Sequence, residues 1–325
     1  MTELSNPIYI KTIEILIKEF PLKTPYQLSF ATLDKFISIQ TAVSFSNHNE
    51  ITTEVVPLLG YNEESEQIVL ENLKTWTPVI TGMSVENARA YIKEKIEQFP
   101  FSTSPLLTAI DLLEYPINGI NQEDLSYVVP TSTESTAHFK SLLSDTKNVI
   151  KVKLTGNVET DTNGLNLVLD ELKKYPNKIR FDANQAYNYE SARMLFSYLI
   201  ENQLENKVEY IEQPLPVGKE NEMGLLRSEF DSIQIMLDES VVTINDLTLA
   251  EKNRIGFIKL KLFKQGGIQE LISIAEAAHQ KGIQVILGNG VATHISNKIE
   301  NEIFVKNQHL FLNPLESNGF KKILN

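Results

Sequence analysis

The sequence contains no cysteine among its 325 residues. Disulfides and thiolate metal sites are therefore excluded, and any bound metal must have oxygen or nitrogen ligands. No uninterrupted apolar run approaches the roughly 18 residues of a membrane span. The first residues show no basic segment followed by an apolar one, so no secretory leader is expected. Together these absences favour a cytoplasmic protein without a membrane partner.

Positive charge is also in short supply. Thirty Lys and Arg residues face 42 Asp and Glu residues, which gives a net charge of −12. Such a chain repels nucleic acid and anionic membranes. A small anionic substrate is still compatible with this charge if local cations or a metal ion reverse the field at the binding site. The oligomeric state is left open, with a homo-oligomer as one alternative.

The first part of the chain shows strands followed by helices, a pattern that predicts an α+β domain over residues 1–115. Between the first two strands, Pro21 and Pro25 predict a loop of about ten residues. Ser84 is a good helix N-cap, with Glu86 in the first turn. The predicted strands are residues 8–20, 35–45 and 52–57, and the predicted helices are residues 65–73, a segment beginning at 84, and 105–113.

From residue 125 onward, a strand, a turn and a helix recur at a regular interval. Eight β/α units with this period predict a modified (β/α)8 TIM barrel over residues 116–313, with residues 314–325 packing back on the N-terminal domain. An open doubly wound sheet is the alternative, but the sequence has no Gly-x-Gly-x-x-Gly turn. The strand candidates centre near residues 127, 152, 180, 209, 235, 259, 285 and 311.

Three consecutive hydrophobic runs end abruptly in a carboxylate, at Asp182, Glu212 and Asp238. The carboxyl ends of parallel barrel strands meet at one face, so these three side chains are expected to lie close together. We interpret them as ligands of one divalent metal. Oxygen ligands without Cys or His favour Mg²⁺, with Mn²⁺ as an alternative, over zinc.

Lysines alternate with apolar residues on two of the predicted strands. Lys151 and Lys153 share one face of the second strand, and Lys259 and Lys261 share one face of the sixth. The apolar face should contact the helices, so the lysines should point into the barrel, where burial costs roughly several kcal/mol per ion. Strands 2 and 6 are opposite each other in an eight-strand ring. A substrate held by the metal would therefore have Lys153 on one side and Lys261 on the other. Either lysine could remove a proton α to the substrate carboxylate, and two bases on opposite faces are what a 1,1-proton transfer requires.

These residues resemble the enolase superfamily, in its muconate-lactonizing-enzyme subgroup. The resemblance spans essentially the whole chain and includes an α+β capping domain before a modified barrel. It implies Mg²⁺ on the three carboxylates and proton transfer by Lys153 and Lys261. It also implies supporting roles for Lys151, Asn184 and Glu239. The phrases that carry it are Lys151-Val152-Lys153, the three carboxylates, Asp238-Glu239-Ser240 and the run from Lys261 to Gly267.

Members of this subgroup begin by removing the proton α to a carboxylate to give an enediolate. The resemblance implies, first, a racemase or epimerase of an N-acyl amino acid or a dipeptide-like substrate. The first alternative is a dehydratase similar to o-succinylbenzoate synthase, or a cycloisomerase. A second alternative, from another class, is a barrel that binds a ligand without catalysis.

Specificity is expected to come from the loop at residues 21–31 and from the ends of strands 7 and 8. Tyr26, Asn289 and Asn313 are the candidate substrate-binding residues, although Tyr26 is equally compatible with a place in the core of the capping domain. Dipeptide epimerases carry Asp-x-Asp on strand 8, where this chain has Asn313-Pro314-Leu315. This departure weakens the assignment as a dipeptide epimerase.

Overall fold

A three-stranded antiparallel sheet opens the fold. The computed structural model describes residues 7–28, 31–117, 127–130 and 149–324. Within them, strands β1 (Ile10–Gln27), β2 (Thr32–Phe45) and β3 (Glu50–Val55) pair in the order β1-β2-β3. One face of β2 is buried by Phe36, Ile39 and Val43, which alternate along the strand as the sequence predicts.

The loop predicted from Pro21 is wrong over most of its length. Strand β1 continues to Gln27, and Pro21 is the Cα partner of Lys35 in β2. The pairing is irregular between Pro21 and Tyr26, which accommodates both prolines. A proline is tolerated here because β1 is the edge strand and needs no donor on its outer side. Residues 29 and 30 lie outside the described residues.

Three helices cover this sheet: α1 (Glu66–Ile80), α2 (Val85–Lys93) and α3 (Pro100–Asp111). The side chain of Ser84 accepts a hydrogen bond from the backbone N–H of Asn87, which confirms the predicted N-cap. The first and third helices are longer than predicted or displaced along the chain. Helix α3 is buried along its whole length. It therefore lacks the exposed polar face whose spacing would mark the bounds of a helix in the sequence.

Seven parallel strands form the second sheet, in the unbroken order β10-β9-β8-β7-β6-β5-β4. Apolar residues facing outward pack against the helices between the strands. The strands are β4 (Tyr127–Pro130), β5 (Ile150–Lys153), β6 (Ile179–Asp182), β7 (Val208–Glu212), β8 (Ile235–Leu237), β9 (Phe257–Leu260) and β10 (Gln284–Leu287). The helices are α4 (Val158–Asn166), α5 (Leu169–Lys174), α6 (Tyr189–Glu201), α7 (Glu220–Glu229), α8 (Leu247–Lys252), α9 (Ile268–Gln280) and α10 (His294–Lys306).

The eighth strand predicted near residue 311 is wrong. A 3-10 helix at Gln308–Leu310 precedes an irregular segment that lies beside β10. Only two backbone hydrogen bonds join them, from Leu312 to Val285 and from Glu316 to Leu287. Pro314 stands between these two donors and has no N–H to contribute, so a continuous ladder cannot form.

The C-terminal segment returns to the first sheet. The backbone N–H of Leu324 donates to the Pro21 carbonyl at 2.8 Å, and Leu22 forms a β-bridge with Ile323. This contact has the form expected if residues 314–325 complete the capping domain; the division near residue 115 stays a prediction. Among the described residues, no helix combines the length and apolarity needed to cross a membrane.

Candidate active site

The three carboxylates lie together at the carboxyl ends of neighbouring strands. Asp182 is the Cα partner of Glu212 in the β6–β7 pair, and Asp238 directly follows β8. Each is almost fully buried, with 2%, 1% and 0% of the residue exposed, respectively. Strand register therefore places three acidic groups in one interior layer.

Lysine ammonium groups lie between these carboxylates. The Nζ of Lys151 is 2.8 Å from Asp182 and 2.5 Å from Glu212, and the Nζ of Lys261 is 2.6 Å from Asp238. Among the residues that the structure describes, no three acidic or histidine side chains stand ready-made around a metal position. The lysines occupy the space that a cation would need, so a metal would have to displace their ion pairs.

The protonation of the carboxylates reflects this crowding. Burial alone would raise the pKa of Asp182, but Lys151 and Lys153 lower it below its usual value. Lys261 and Lys264 likewise lower the pKa of Asp238 against the effect of burial. Burial and the charge of Asp182 raise the pKa of Glu212. The contacts of Glu212 with Lys151 and Lys259 therefore do not offset the effect of burial and of Asp182 on its pKa.

Glu239 supplies the clearest unsatisfied group of the site. Both of its carboxylate oxygens are buried without a hydrogen-bond partner. Burial and the neighbouring Asp238 raise its pKa to about 8. A buried carboxyl without partners is costly, and a divalent cation near Asp238 would offset that cost. The all-oxygen donor set of the three carboxylates, beside this orphaned group, fits a hard cation such as Mg²⁺.

Lys153 ends β5 on one side of the carboxylate layer. Its Nζ donates to Asp182 at 2.6 Å and to the side-chain oxygen of Asn184 at 2.7 Å. Burial lowers the pKa of this lysine, but the charge of Asp182 outweighs burial and holds the pKa above its ordinary value. Asn184 has a left-handed backbone (φ of 42°), a conformation that Asn tolerates better than most residues and that places its amide beside the lysine.

Lys261 stands on the other side, just after β9. Its Nζ donates to Asp238 at 2.6 Å and to the Tyr61 hydroxyl at 3.0 Å, and it lies 4.2 Å from the centre of the Tyr61 ring. Tyr61 in turn donates to Asp238 at 2.7 Å. Phe263 packs edge-on against Tyr61, with ring centres 5.8 Å apart. This lysine is therefore held in an aromatic corner to which the capping domain contributes a wall.

An ion network lies beneath the carboxylate layer. Lys259 contacts both Glu212 and Glu316, and Arg180 donates to Glu316 at 3.0 Å. The Tyr210 hydroxyl donates to the same carboxylate at 3.0 Å. Lys151 joins the two layers, since it also contacts Glu316 at 3.0 Å. Glu316 thus neutralises the cations that the barrel interior buries.

The structure brings two of the three candidate substrate-binding residues to the cavity above this site. Tyr26 and Asn289 line the cavity. Lys153, Lys261, Gly290 and Val291 line it as well. Asn313 is exposed and is not among the described residues that line the cavity. Its backbone carbonyl accepts a hydrogen bond from Arg180 at 2.7 Å.

Sequence reasoning missed Tyr61, Glu316 and the role of Lys264. Lys264 donates to the Asp238 carboxylate at 2.9 Å, and it lies in the run from Lys261 to Gly267, where its spacing alone indicates no role. Glu316 follows the last hydrophobic run after a short interval, which is the signal that identified the other three carboxylates. Tyr61 is 177 residues from Asp238, and no local pattern links the two.

Comparison with known proteins shows the family of this chain. Residues 136–313 match the family described as enolase C-terminal domain-like. An L-Ala-D/L-Glu epimerase of Francisella tularensis subsp. novicida is 24% identical over 88% of this chain and 83% of its own length. An N-succinyl-L-Arg/Lys racemase of Bacillus cereus is 23% identical over 89% of this chain and 82% of its own.

The fold is shared with solved structures of the same group. A dipeptide epimerase from Methylococcus capsulatus, solved with Mg and the dipeptide L-Arg-D-Lys, superposes with a TM-score of 0.80. The match covers 98% of this chain and 92% of that one at 21% identity. The matched family description spans more than half of the 325 residues. The chain belongs to the enolase C-terminal domain-like family.

Proposed function

We propose that this protein is a racemase or epimerase that removes and returns the proton α to the carboxylate of an N-acyl amino acid or a dipeptide-like substrate. One observation carries the proposal: Lys153 and Lys261 flank a buried layer of three carboxylates from strands that lie between them. A two-base reaction needs one group on each face of the reacting carbon. The names of the relatives support the same class of reaction.

The proposal includes a divalent metal, Mg²⁺ with Mn²⁺ as an alternative, held by Asp182, Glu212 and Asp238. When bound, the cation would hold the substrate carboxylate and stabilise the negative charge that develops as the proton leaves. The raised pKa of Glu212 and the orphaned oxygens of Glu239 support a cation in this layer. A metal would also replace the lysines as the partner of the carboxylates. Without those carboxylate partners, the pKa of each lysine would fall, and a lysine must lose its proton before it can act as a base.

The other side chains have positioning roles in this scheme. Asn184 accepts from Lys153, and Tyr61 accepts from Lys261, so each lysine has a neutral partner that remains when its carboxylate turns to a metal. Lys151 supplies positive charge beside Lys153, since both contact Asp182, and Glu239 directly follows Asp238 in the chain. Leu28, Leu58 and Phe263 line the cavity and would exclude water from it.

Proton NMR of candidate substrates in D₂O tests this function. The panel contains dipeptides, N-acyl amino acids and o-succinylbenzoate precursors, each with and without Mg²⁺. We expect the α-hydrogen to exchange for deuterium with inversion of configuration in at least one N-acyl amino acid or dipeptide. A product with a new double bond would show that the enzyme catalyses an elimination and would contradict epimerisation. Absence of exchange across the panel, with Mg²⁺ bound, would leave the non-catalytic reading.

Calorimetry tests the metal separately from turnover. The wild type should bind Mg²⁺ and gain melting temperature, because the cation binds the folded state alone. Glu212→Gln should lose both effects. A matched control is Glu229→Gln, an exposed carboxylate on α7 that pairs with Arg193. Mg²⁺ binding that survives in Glu212→Gln would remove Glu212 from the ligand set.

A further inference from the structure

A lysine of the C-terminal segment lies at the edge of the cavity and plays no part in the scheme above. Lys322 ends a 3-10 helix at Gly319–Lys322 and is half-buried. Its Nζ donates to the Gly290 carbonyl at 2.8 Å and to the Asn318 side-chain oxygen at 3.0 Å, and it lies 4.5 Å from the centre of the Tyr26 ring. Three lining groups of the cavity thus converge on one ammonium group.

Gly290 shows how closely these groups converge. A Cβ atom on Gly290 would lie 3.3 Å from Lys322 Nζ, 3.4 Å from the Tyr26 hydroxyl and 3.6 Å from Asn318 Oδ1. All three polar atoms therefore surround the same small patch of the cavity wall. The patch is open only because residue 290 has no side chain. It is well placed to receive one polar end of a ligand.

The charges around Lys322 are of one sign. Across the described part of the chain, no carboxylate lies within ion-pair distance of it, whereas Lys151, Lys153 and Lys261 each contact one. Burial, followed by repulsion from Lys153, Lys151 and Lys259, lowers the pKa of Lys322 to about 7. An ammonium group beside other cations gains most from an anion supplied from outside.

The described lining residues of the same wall include no carboxylate. On this side of the cavity, the described lining residues carry only apolar, hydroxyl, amide or backbone groups. An ammonium group of a substrate would therefore meet Lys322 without a carboxylate to offset the repulsion. The lining residues of the wall are Tyr26, Leu28, Asn289, Gly290, Val291 and Asn318.

We propose that Lys322 is a specificity-determining residue that binds a second carboxylate of the substrate, at the end remote from the reacting carbon. This inference rests on the proposed function, in which the first carboxylate lies at the metal. The substrate is then a dianion: an amino acid whose acyl group or whose side chain ends in a carboxylate. Tyr26 and Asn318 position the ammonium group against the Gly290 carbonyl and share the new anion.

Binding calorimetry with a matched ligand pair tests the proposal without requiring turnover. The first pair is N-succinyl-L-phenylalanine and N-butanoyl-L-phenylalanine, which differ in the distal carboxylate of the acyl group. The second pair is N-acetyl-L-glutamate and N-acetyl-L-glutamine, which differ in the side chain. We expect the Mg²⁺-loaded wild type to prefer the dianion of one pair by about tenfold, or roughly 1.4 kcal/mol, and that pair identifies which end carries the carboxylate.

Variants separate a specific contact from general charge. Lys322→Met should abolish the preference for the dianion, while affinity for the monoanionic partner of each pair stays within about twofold. Lys322→Arg should restore part of the preference. Lys321→Met removes the same charge from the exposed neighbouring residue and should leave the preference intact. Melting temperatures confirm that each variant is folded.

The outcomes distinguish the two proposals. A wild type without a preference for either dianion, or a preference that survives in Lys322→Met, overturns the role of Lys322. Tight dianion binding that depends on Lys322, but without α-proton exchange in D₂O, supports this role and sinks the proposed function. If exchange occurs, Lys322→Met should raise KM for the dianion and leave kcat nearly unchanged.

Discussion

The two sides of the cavity hold their lysines in different ways. Lys153 has 15% of its side chain exposed and contacts an aspartate and an amide, close to the hairpin that carries Tyr26. Lys261 has 10% of its side chain exposed and contacts an aspartate and a tyrosine within a cluster of aromatic rings. The first side is polar and is bounded by the C-terminal segment. The second is bounded by the aromatic rings of Tyr61, Phe101 and Phe263.

This difference indicates a division of labour. An α-carbon has four substituents, and only the hydrogen changes sides in an epimerisation. On the aromatic side, the Tyr61 hydroxyl and packing hold Lys261 in place. This arrangement suits proton transfer, which is the same for every substrate. The polar side has room for Gly290 and Lys322 next to Lys153, so the variable part of the substrate is best accommodated there. Side-specific variants test this comparison.

Replacing either reacting lysine should have the largest effect. Lys153→Met and Lys261→Met should each lower the rate of epimerisation by about 10²–10⁴-fold or more, as expected for loss of a general acid or base. Each variant should still exchange the α-hydrogen of the isomer whose hydrogen faces the remaining lysine. Proton NMR of both isomers in D₂O measures this and assigns a face to each lysine. A variant that still inverts at the wild-type rate would end the two-base scheme.

The network beneath both sides should dominate stability. Glu316→Gln leaves Lys151, Lys259 and Arg180 without their shared carboxylate and should destabilise the fold by about 3–5 kcal/mol. The double variant Lys259→Met with Glu316→Met should recover much of this loss. Urea unfolding measures both, and Glu270→Gln, which breaks a partly exposed pair with Lys93, is the control with about 1 kcal/mol or less.

The same carboxylate predicts a pH dependence. Burial raises the pKa of Glu316, but Lys151, Lys259 and Arg180 outweigh burial and hold the pKa well below its ordinary value. Its contribution to stability is therefore present above the usual carboxyl pKa of about 4.3 and is lost as pH falls below it. Urea midpoints should fall more steeply below that pH in the wild type than in Glu316→Gln. Parallel profiles would show that Glu316 is not the responsible group.

The hydroxyl groups of the two sides should have smaller and unequal effects. Tyr61→Phe removes two hydrogen bonds, to Asp238 and from Lys261, and should lower the epimerisation rate about tenfold, at about 1 kcal/mol net. Tyr26→Phe removes a hydroxyl that lies beside Gly290 and belongs to a residue that acts electrostatically on Lys153, and the rate should change about threefold or less, with the effect in KM. Equal effects of the two variants on kcat would contradict the division between the sides.

The smallest effect should be a pH-dependent stability at Lys322. Its lowered pKa means that the unfolded chain binds more protons between pH 7 and the ordinary lysine pKa of about 10.4, so stability rises with pH across this window. The groups in contact with it are the Gly290 carbonyl, the Asn318 side-chain oxygen and the Tyr26 ring, and the charges that lower its pKa are those of Lys153, Lys151 and Lys259. Lys322→Met should flatten the profile, with changes in melting temperature of about 2 °C. An unchanged profile would show that the lysine does not titrate there.

Much of the barrel and its charged interior followed from the sequence. Lys151 and Lys259 point inward because alternation along a strand allows only two faces, and the apolar face must meet the helices. Asp182 and Glu212 fall in the same layer because parallel strands share one direction. The predictions from periodicity were wrong at two places. The bounds of α3 were misplaced because this helix is buried on all sides, and the strand predicted near residue 311 does not form because a proline interrupts the pairing after Leu312.

The sequence by itself determined which charges the barrel would bury, since strand alternation and strand ends are local properties. Only the tertiary structure decided how those charges pair and what bounds the cavity. Tyr61 reaches Asp238 from the capping domain, Glu316 enters from beyond the last strand, and Lys322 meets Gly290 through the return of the C-terminal segment. These contacts join residues far apart in the chain, and their energies depend on burial, which no local pattern specifies.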